Sequence, residues 1–171
     1  MVRSELPPIR DATADDFAAI LALNAEAVRF TSPLDHARLD RLHAQAAYHR
    51  VVEHRGTVAA FLLALREGAG YDSANYGWFA TRYTRFLYID RIVVAASLRG
   101  AGIGARLYDD IIAFAAARGL APLTCEFDLD PPNPASARFH ARFGFREVGR
   151  QRLANGKQVS LQACAIGAVG R

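Results

Sequence analysis

The chain has 171 residues, 51% of them apolar, and a formal net charge of +4, which together predict a single domain over residues 1–171 with a sizeable core. No apolar run approaches the roughly 18 residues that a membrane-spanning helix needs. The basic residues, of which only Lys157 is a lysine, form no runs, so nucleic-acid binding has little support.

Targeting and redox signals are sparse. Residues 1–6 lack the apolar core of a secretory signal. The two cysteines, Cys125 and Cys164, are far apart and fit no metal-ligand spacing, so we expect reduced thiols. These features predict a cytoplasmic protein without a metal.

The first half of the chain predicts a strand, two helices and a hairpin. Thr13 is the expected N-cap of the first helix, because acids fill the turn that follows it. In chain order these elements cover residues 9–12, 13–28, 33–46, 48–53 and 57–65. Residues 66–85 then predict a long connection, rich in Gly, Tyr and Asn, that holds the only tryptophan, Trp78.

The second half predicts alternating strands and helices, closed by a hairpin. Asn133 and Pro134 have the residue types of a helix cap and first helical position, and Asn155-Gly156 is typical of a two-residue turn. The elements cover residues 86–94, 103–118, 123–129, 133–143, 145–153 and 157–163. Because only one strand–helix–strand crossover is clear, the predicted fold class is α/β (α+β) with a mixed sheet.

The stretch from Ser97 to Ala105 places three glycines at the predicted start of a helix. Glycine lets backbone N–H groups approach a ligand with no side chain in the way. The helix start adds unpaired N–H groups and the positive end of its dipole. The stretch therefore predicts a site for phosphate or pyrophosphate.

One match to this turn is the dinucleotide fingerprint G-x-G-x-x-G/A, with Glu126 about 20 residues further on. It predicts a Rossmann-type dinucleotide-binding oxidoreductase. Three features argue against it: the strand ends at Val94, well before the first glycine; Arg99 occupies the start of the turn; and the chain has few strand–helix repeats.

The second match is Arg99-x-x-Gly102-x-Gly104, which resembles the R/Q-x-x-G-x-G/A turn of the GNAT superfamily of acyl-CoA-dependent N-acyltransferases. Residues 86–94 resemble the family's central strand, and residues 133–145 its N-x-x-(A/S)-x-x-(L/F)-Y-x-x-x-G-F motif. The resemblance implies a GNAT-like, mixed and mostly antiparallel central sheet with splayed central strands, flanked by helices.

The resemblance also implies acetyl-CoA (coenzyme A) as co-substrate. Backbone N–H groups of residues 99–104 would cradle its pyrophosphate, and the backbone of residues 92–94 would pair with the pantetheine arm as an added strand does. Residues of the later motif would approach the pantetheine or the adenine end, although a cap, core or surface role is the alternative for each. The implied cofactor-binding residues are Ile92, Val93, Val94, Arg99, Gly100, Ala101, Gly102, Ile103, Gly104, Asn133, Ser136, Phe139 and Arg142.

Acyl transfer to an amine needs a neutral amine, a polarised thioester carbonyl and a stabilised thiolate. A backbone N–H near Val93 would polarise the carbonyl. The candidate bases are Asp90, Glu126 and Asp128. Asp90 interrupts an apolar strand, where a carboxylate is costly unless paired, so a structural ion pair is the alternative; Arg91 should point to the opposite face.

His140 stands where the family usually has tyrosine. Its imidazole can donate a proton near neutral pH, so it is the candidate general acid, with a plain surface histidine as the alternative. The predicted catalytic residues are thus Asp90, Glu126 and His140.

The predicted function is transfer of an acetyl group from acetyl-CoA to a primary amine of a small molecule or peptide. The acceptor would lie against residues 29–39, the last hairpin and the aromatic side chains of residues 70–83. Because the family's tyrosine is missing, a non-catalytic acyl-CoA-binding sensor is the alternative. No nucleic acid or membrane partner is expected, and the last hairpin could pair across a homodimer.

Overall fold

The computed structural model describes residues 7–29 and 31–167. Residues 1–6, which bear on the targeting prediction, and Phe30, within the predicted acceptor region, lie outside the described residues. In chain order the elements are β1 (Ile9–Asp11), α1 (Phe17–Glu26), α2 (His36–Gln45), β2 (Tyr48–His54), β3 (Thr57–Arg66), α3 (Ala74–Ala80), β4 (Leu87–Val94), α4 (Ile103–Arg118), β5 (Leu123–Asp130), α5 (Pro134–Arg142), β6 (Arg146–Arg152) and β7 (Gln158–Cys164). Within these described ranges, no helix is long and apolar enough to cross a membrane.

The seven strands of the described residues join one sheet in the order β1-β2-β3-β4-β5-β7-β6. The β1–β2, β5–β7 and β6–β7 pairs are antiparallel, whereas β4 and β5 are parallel. This mixed, mostly antiparallel sheet with flanking helices confirms the predicted fold class. It also overturns the dinucleotide alternative, which requires a doubly wound, mainly parallel sheet.

The ladder between β4 and β5 is short. It pairs Leu87 with Leu123 and Tyr88 with Thr124, at the start of both strands, although each strand has eight residues. A ladder confined to the strand starts is the geometry that splayed central strands require.

The chain divides into two compact units, Met1–Leu63 with Arg91–Leu107, and Ala64–Asp90 with Tyr108–Arg171. Each has its own buried apolar side chains. Those of the first include Phe17, Ile20, Leu39, Val51 and Phe61, and those of the second include Leu65, Phe79, Phe86, Tyr108 and Leu123. The single N-acetyltransferase-like domain expected from chain length stays a prediction.

Helix α3 lies inside the segment predicted as a connection, so that prediction is wrong over Ala74–Ala80. Asparagine, glycine and aromatic residues have low helix propensity, which hides the helix from sequence patterns. The Ser73 side chain caps it by accepting from the Tyr76 N–H. Tyr76 and Phe79 are 3% and 0% exposed, so burial stabilises a helix that propensity does not favour.

The two hairpins have different turns. Arg55 and Gly56 both have positive φ, +52° and +77°, and form the two-residue turn between β2 and β3. In the last hairpin, by contrast, the Leu153 N–H donates to the Lys157 carbonyl at 2.8 Å. The loop there has three residues, with Gly156 at φ +85°, so the two-residue turn predicted from Asn155-Gly156 is wrong.

Candidate active site

A glycine-rich turn joins β4 to α4 in the first unit. A single 3₁₀ turn, Ala96–Leu98, leads to Arg99 in an extended conformation. Gly100 and Gly102 follow with φ of +81° and +80°, a region that residues with a side chain rarely adopt. A Cβ at either position would project into open space. The backbone path therefore requires both glycines, whereas packing does not.

Helix α4 begins directly after this turn. Its first backbone bond runs from the Arg106 N–H to the Gly102 carbonyl at 3.1 Å, so the N–H groups of residues 103–105 have no acceptor within the helix. With the helix dipole they form a donor-rich, positive end. The open, Cβ-free approach at Gly100 and Gly102 fits a pyrophosphate group here.

Two of the predicted cradle amides are engaged within the turn itself. The Arg99 N–H donates to the Ala96 carbonyl at 3.4 Å, and the Ala101 N–H donates to the Leu98 carbonyl at 3.3 Å. The Arg99 side chain is exposed. Of the predicted cradle residues 99–104, those whose N–H groups have no acceptor among the described residues are therefore Gly100, Gly102, Ile103 and Gly104.

The last residues of β4 alternate in burial. Val93 is buried, and Ile92 and Val94 are half-buried. Arg91 is 4% exposed, and its guanidinium donates to the Asn24 side chain and to the Ser32 hydroxyl, each at 3.0 Å.

Glu126 of β5 is the centre of a polar cluster in the second unit. The Tyr88 hydroxyl donates to its two carboxylate oxygens at 2.9 and 2.8 Å, and the Asn75 side chain also hydrogen-bonds to it. Gln151 donates from Nε2 to Oδ1 of Asn75 at 3.0 Å. Tyr88 and Asn75 are 1% and 7% exposed, whereas Glu126 keeps partial exposure.

Burial raises the pKa of Glu126 to about 8. The negative charges of Asp90 and Asp128 raise it further, and the hydrogen bonds from Tyr88 and Asn75 lower it. A carboxyl group that titrates in this range can exchange a proton with an amine near neutral pH. A strongly shifted pKa at a polar cluster is also typical of functional sites.

The other two candidate bases have different surroundings. Asp90 of β4 accepts a 2.5 Å hydrogen bond from the Tyr71 hydroxyl. Asp128 forms an ion pair with Lys157 Nζ at 3.0 Å, which ties its charge to a cation.

Strand alternation separates the three predicted catalytic residues. Asp90 and Tyr88 are two residues apart on β4, so they share a face, and Tyr88 reaches Glu126 on that face. Cys125 and Phe127 of β5 project to the opposite face, where the His140 ring lies 5.7 Å from the Phe127 ring. The structure thus brings Asp90 and Glu126 together but not His140.

His140 is buried, with both ring nitrogens engaged. Nδ1 lies 2.8 Å from the Ser136 carbonyl and Nε2 lies 2.7 Å from the Tyr108 hydroxyl. Because a carbonyl only accepts, Nδ1 carries the proton and the Tyr108 hydroxyl donates to Nε2. Burial also lowers the pKa of His140. These contacts favour a structural role, and a role as general acid stays a prediction.

The later-motif residues lie on and around α5. Asn133 caps this helix by accepting from the Ser136 N–H. The Ser136 carbonyl accepts from Nδ1 of His140. The Phe139 ring packs edge-on against the Tyr108 ring, with centroids 4.7 Å apart, while Arg142 is exposed.

The aromatic residues predicted to line an acceptor pocket divide into two groups. Tyr76 and Phe79 are buried against Phe86 and Tyr88, so they belong to the core of the second unit. Half-buried side chains make up the other group: Tyr71, Trp78 and Tyr83.

Sequence analysis missed three residues of the Glu126 cluster. Tyr88 looks like an ordinary strand tyrosine, and only its spacing of two from Asp90 could indicate a shared face. Asn75 lies in a helix that the patterns do not predict. Gln151 depends on the order β5-β7-β6, which no local pattern gives.

Similarity to known proteins agrees with this geometry. Residues 12–145 match the Acetyltransferase (GNAT) family. Phosphinothricin N-acetyltransferase of Streptomyces coelicolor (strain ATCC BAA-471 / A3(2) / M145) is 44% identical over 61 residues, which are 36% of this chain and 34% of that protein. The match thus spans about a third of that relative's length.

Solved structures show the same fold. Ard1 from Thermoplasma volcanium superposes with a TM-score of 0.78 at 15% identity, over 95% of this chain and 99% of that one. Arabidopsis thaliana Naa50, in complex with the bisubstrate analogue CoA-Ac-MVNAL, gives a TM-score of 0.70 at 13% identity, over 92% and 97%. Residues 12–145, which match the Acetyltransferase (GNAT) family, make up most of the chain. The chain therefore belongs to the GNAT acetyltransferase family.

Proposed function

We propose that this chain transfers an acetyl group from acetyl-CoA to a primary amine of a small molecule or a peptide. The Glu126 carboxyl group, held by Tyr88 and Asn75 with a pKa of about 8, carries the proposal. Family membership supports the acetyl donor. The donor-rich start of α4 supports binding of the donor's pyrophosphate.

In the proposed reaction the amine nitrogen attacks the thioester carbonyl carbon, so that a C–N bond forms and the C–S bond breaks. Glu126 accepts the proton that the amine loses, directly or through water. The backbone N–H near Val93 stabilises the developing negative charge on the carbonyl oxygen. The sulfur leaves as a thiolate, which is protonated afterwards.

The residues of the later motif have proposed roles in donor binding. Asn133 and Ser136 approach the pantetheine arm, and Phe139 and Arg142 the adenine end. The backbone of residues 92–94 pairs with the pantetheine amides. Two of the similar proteins, the phosphinothricin N-acetyltransferase and Naa50 with its bisubstrate analogue, support a small amine and a peptide respectively.

The test combines donor binding with an acceptor screen. Calorimetry should detect acetyl-CoA at micromolar to millimolar concentrations, and release of free CoA should exceed background with one member of a panel of amines, phosphinothricin and peptides with free N-termini. Absence of binding at millimolar acetyl-CoA would refute the proposal. Tight binding without turnover for any amine would favour the sensor alternative, which the occupied His140 ring also favours.

A further inference from the structure

Three side chains from three elements form a line of hydrogen bonds that ends at the Glu126 carboxylate. Gln151 of β6 donates to Oδ1 of Asn75, and Asn75 of α3 bonds to Glu126 of β5. The contact with Asn75 lowers the pKa of Glu126, as a donor to the carboxylate does, and Oδ1 of Asn75 faces Gln151, so the Asn75 NH₂ group is the donor to Glu126. Gln151 therefore sets which way the Asn75 amide faces.

The strand register places Gln151 and Glu126 on one face of the sheet. Gln151 pairs with Val159, and Val159 pairs with Asp128. Directly paired residues project to the same face of the sheet, so Gln151 and Asp128 share a face. Glu126 is two residues from Asp128 on β5 and therefore projects to that face as well. Helix α3 covers this face with Asn75.

A glycine lets α3 lie close to the sheet. Gly149 pairs with Leu161, which pairs with Glu126, so Gly149 lies on the same face. A Cβ there would overlap the Trp78 ring, with Cη2 at 2.9 Å. Trp78 and Asn75 are three residues apart on α3 and therefore lie on one side of the helix. Contact of Trp78 with Gly149 thus brings Asn75 within reach of Glu126.

We propose that Asn75 is a positioning residue for Glu126, and that Gln151 and the Gly149–Trp78 contact hold Asn75 in place. The proposal rests on the proposed function, in which Glu126 is the base. The Asn75 donor stabilises the ionised form of the carboxylate and fixes its orientation toward the amine.

Other titratable groups surround Glu126. Tyr88 and Asp90 face it from β4, with Tyr71 bonded to Asp90, and Asp128 lies on β5, paired with Lys157. Asn75 differs from all of these in that its amide does not titrate. Its removal should therefore move one titration, that of Glu126, without adding a charge.

The first experiment is a pH profile of kcat/KM for Asn75→Leu and Gln151→Leu, with Gln45→Leu of the exposed end of α2 as the matched control. We expect the acid limb of Asn75→Leu to move up by about one pH unit, which is about tenfold in kcat/KM at pH 7, with an unchanged alkaline plateau. Gln151→Leu should move it less, and the control should not move it. If folded Asn75→Leu shows its acid limb at the same pH as the unaltered protein, the proposal is overturned.

A second measurement separates this proposal from the proposed function. Infrared titration of the Glu126 carboxyl band, assigned by its loss in Glu126→Gln, needs no acceptor and no turnover. An upward shift in Asn75→Leu supports the positioning role even if no amine is acetylated. If Asn75→Leu does not fold, Gln151→Leu gives the same test, and a band that titrates as in the unaltered protein overturns the proposal.

Discussion

Hydrogen-bond partners decide the chemistry that Glu126 and His140 can each perform. Glu126 accepts from Tyr88 and Asn75 but stays partly exposed, as its proposed role as the base requires. Both ring nitrogens of His140 are hydrogen-bonded within the protein, to Ser136 and to Tyr108. Burial acts on both residues, yet Glu126 as a residue stays partly exposed whereas His140 is 5% exposed.

Replacement of Glu126 by glutamine removes the group that titrates near pH 8. In the unaltered protein we expect kcat/KM to rise with pH through about 8, because the ionised carboxylate is the active form. Glu126→Gln should lower kcat/KM by about 10²- to 10⁴-fold and lose that limb. Asp128→Asn, at a carboxylate paired with Lys157, should keep it, and a limb that persists in Glu126→Gln would point to another base.

Replacement of His140 by phenylalanine distinguishes a structural role from an acid. The change leaves the buried Tyr108 hydroxyl without its acceptor, which should lower the free energy of unfolding by about 1–3 kcal/mol. Urea unfolding measures this loss. Turnover by folded His140→Phe should stay within a few-fold of that of the unaltered protein. A loss of 100-fold or more would instead support His140 as the general acid.

Among the elements, the turn before α4 and the helix α3 both depend on glycine, for different reasons. In the turn, Gly100 and Gly102 have positive φ and open surroundings, so the constraint is the backbone path. In β6, Gly149 is constrained by the Trp78 ring instead. Substitutions can therefore separate conformational strain from steric overlap.

Gly102→Val should weaken acetyl-CoA binding at least tenfold, because it strains the backbone at φ +80° and places a side chain beside the helix amides. Gly68→Val is the matched control, since Gly68 has φ +83° and equally open surroundings in another turn. Calorimetry compares the two dissociation constants. Equal dissociation constants for acetyl-CoA in the two variants would contradict a role of this turn in donor binding.

Gly149→Ala should lower the free energy of unfolding by about 1–3 kcal/mol, because the new methyl group overlaps the Trp78 ring. Gly77→Ala, inside α3 with no neighbour within 4 Å of its Cβ position, should instead raise it by about 0.5–1 kcal/mol. Urea unfolding of both variants measures the difference. Equal effects would mean that Trp78 moves without cost.

For the whole molecule, we expect stability in acid to depend on His49 in the first unit. Its Nδ1 lies 2.8 Å from Nδ1 of His43, and its buried Nε2 has no hydrogen-bond partner among the described residues. Burial lowers the pKa of His49 to about 4, with the charge of His43 acting in the same direction and that of Asp16 opposing it.

The unfolded chain therefore binds a proton at His49 below about pH 6.5, whereas the folded chain does so only near pH 4. Stability should fall as the pH drops through this window, by about 2 kcal/mol between pH 7 and 4.5. His49→Phe should remove that share of the loss. Urea unfolding at both pH values checks it, and an identical loss in the variant would contradict it.

The sequence predicts the parts of the fold that local chemistry determines. Thr13 precedes the 3₁₀ turn Ala14–Asp16 that leads into α1, Asn133 caps α5 and the glycines after Arg99 precede α4. The ordered motifs of residues 86–145 indicate the family. Long-range packing determines what the sequence does not predict. Helix α3 forms because Tyr76 and Phe79 are buried, and Gln151 joins the Glu126 cluster only through the order of three strands.

The lone lysine has a consequence for a protein that would handle a reactive thioester. Such thioesters acylate exposed lysine amines without any enzyme, but they leave guanidinium groups intact. Twenty of the 21 basic residues are arginines, and the remaining ammonium group is held against Asp128 at 3.0 Å. The chain can therefore keep a net positive charge while offering an acyl donor a single lysine amine to modify.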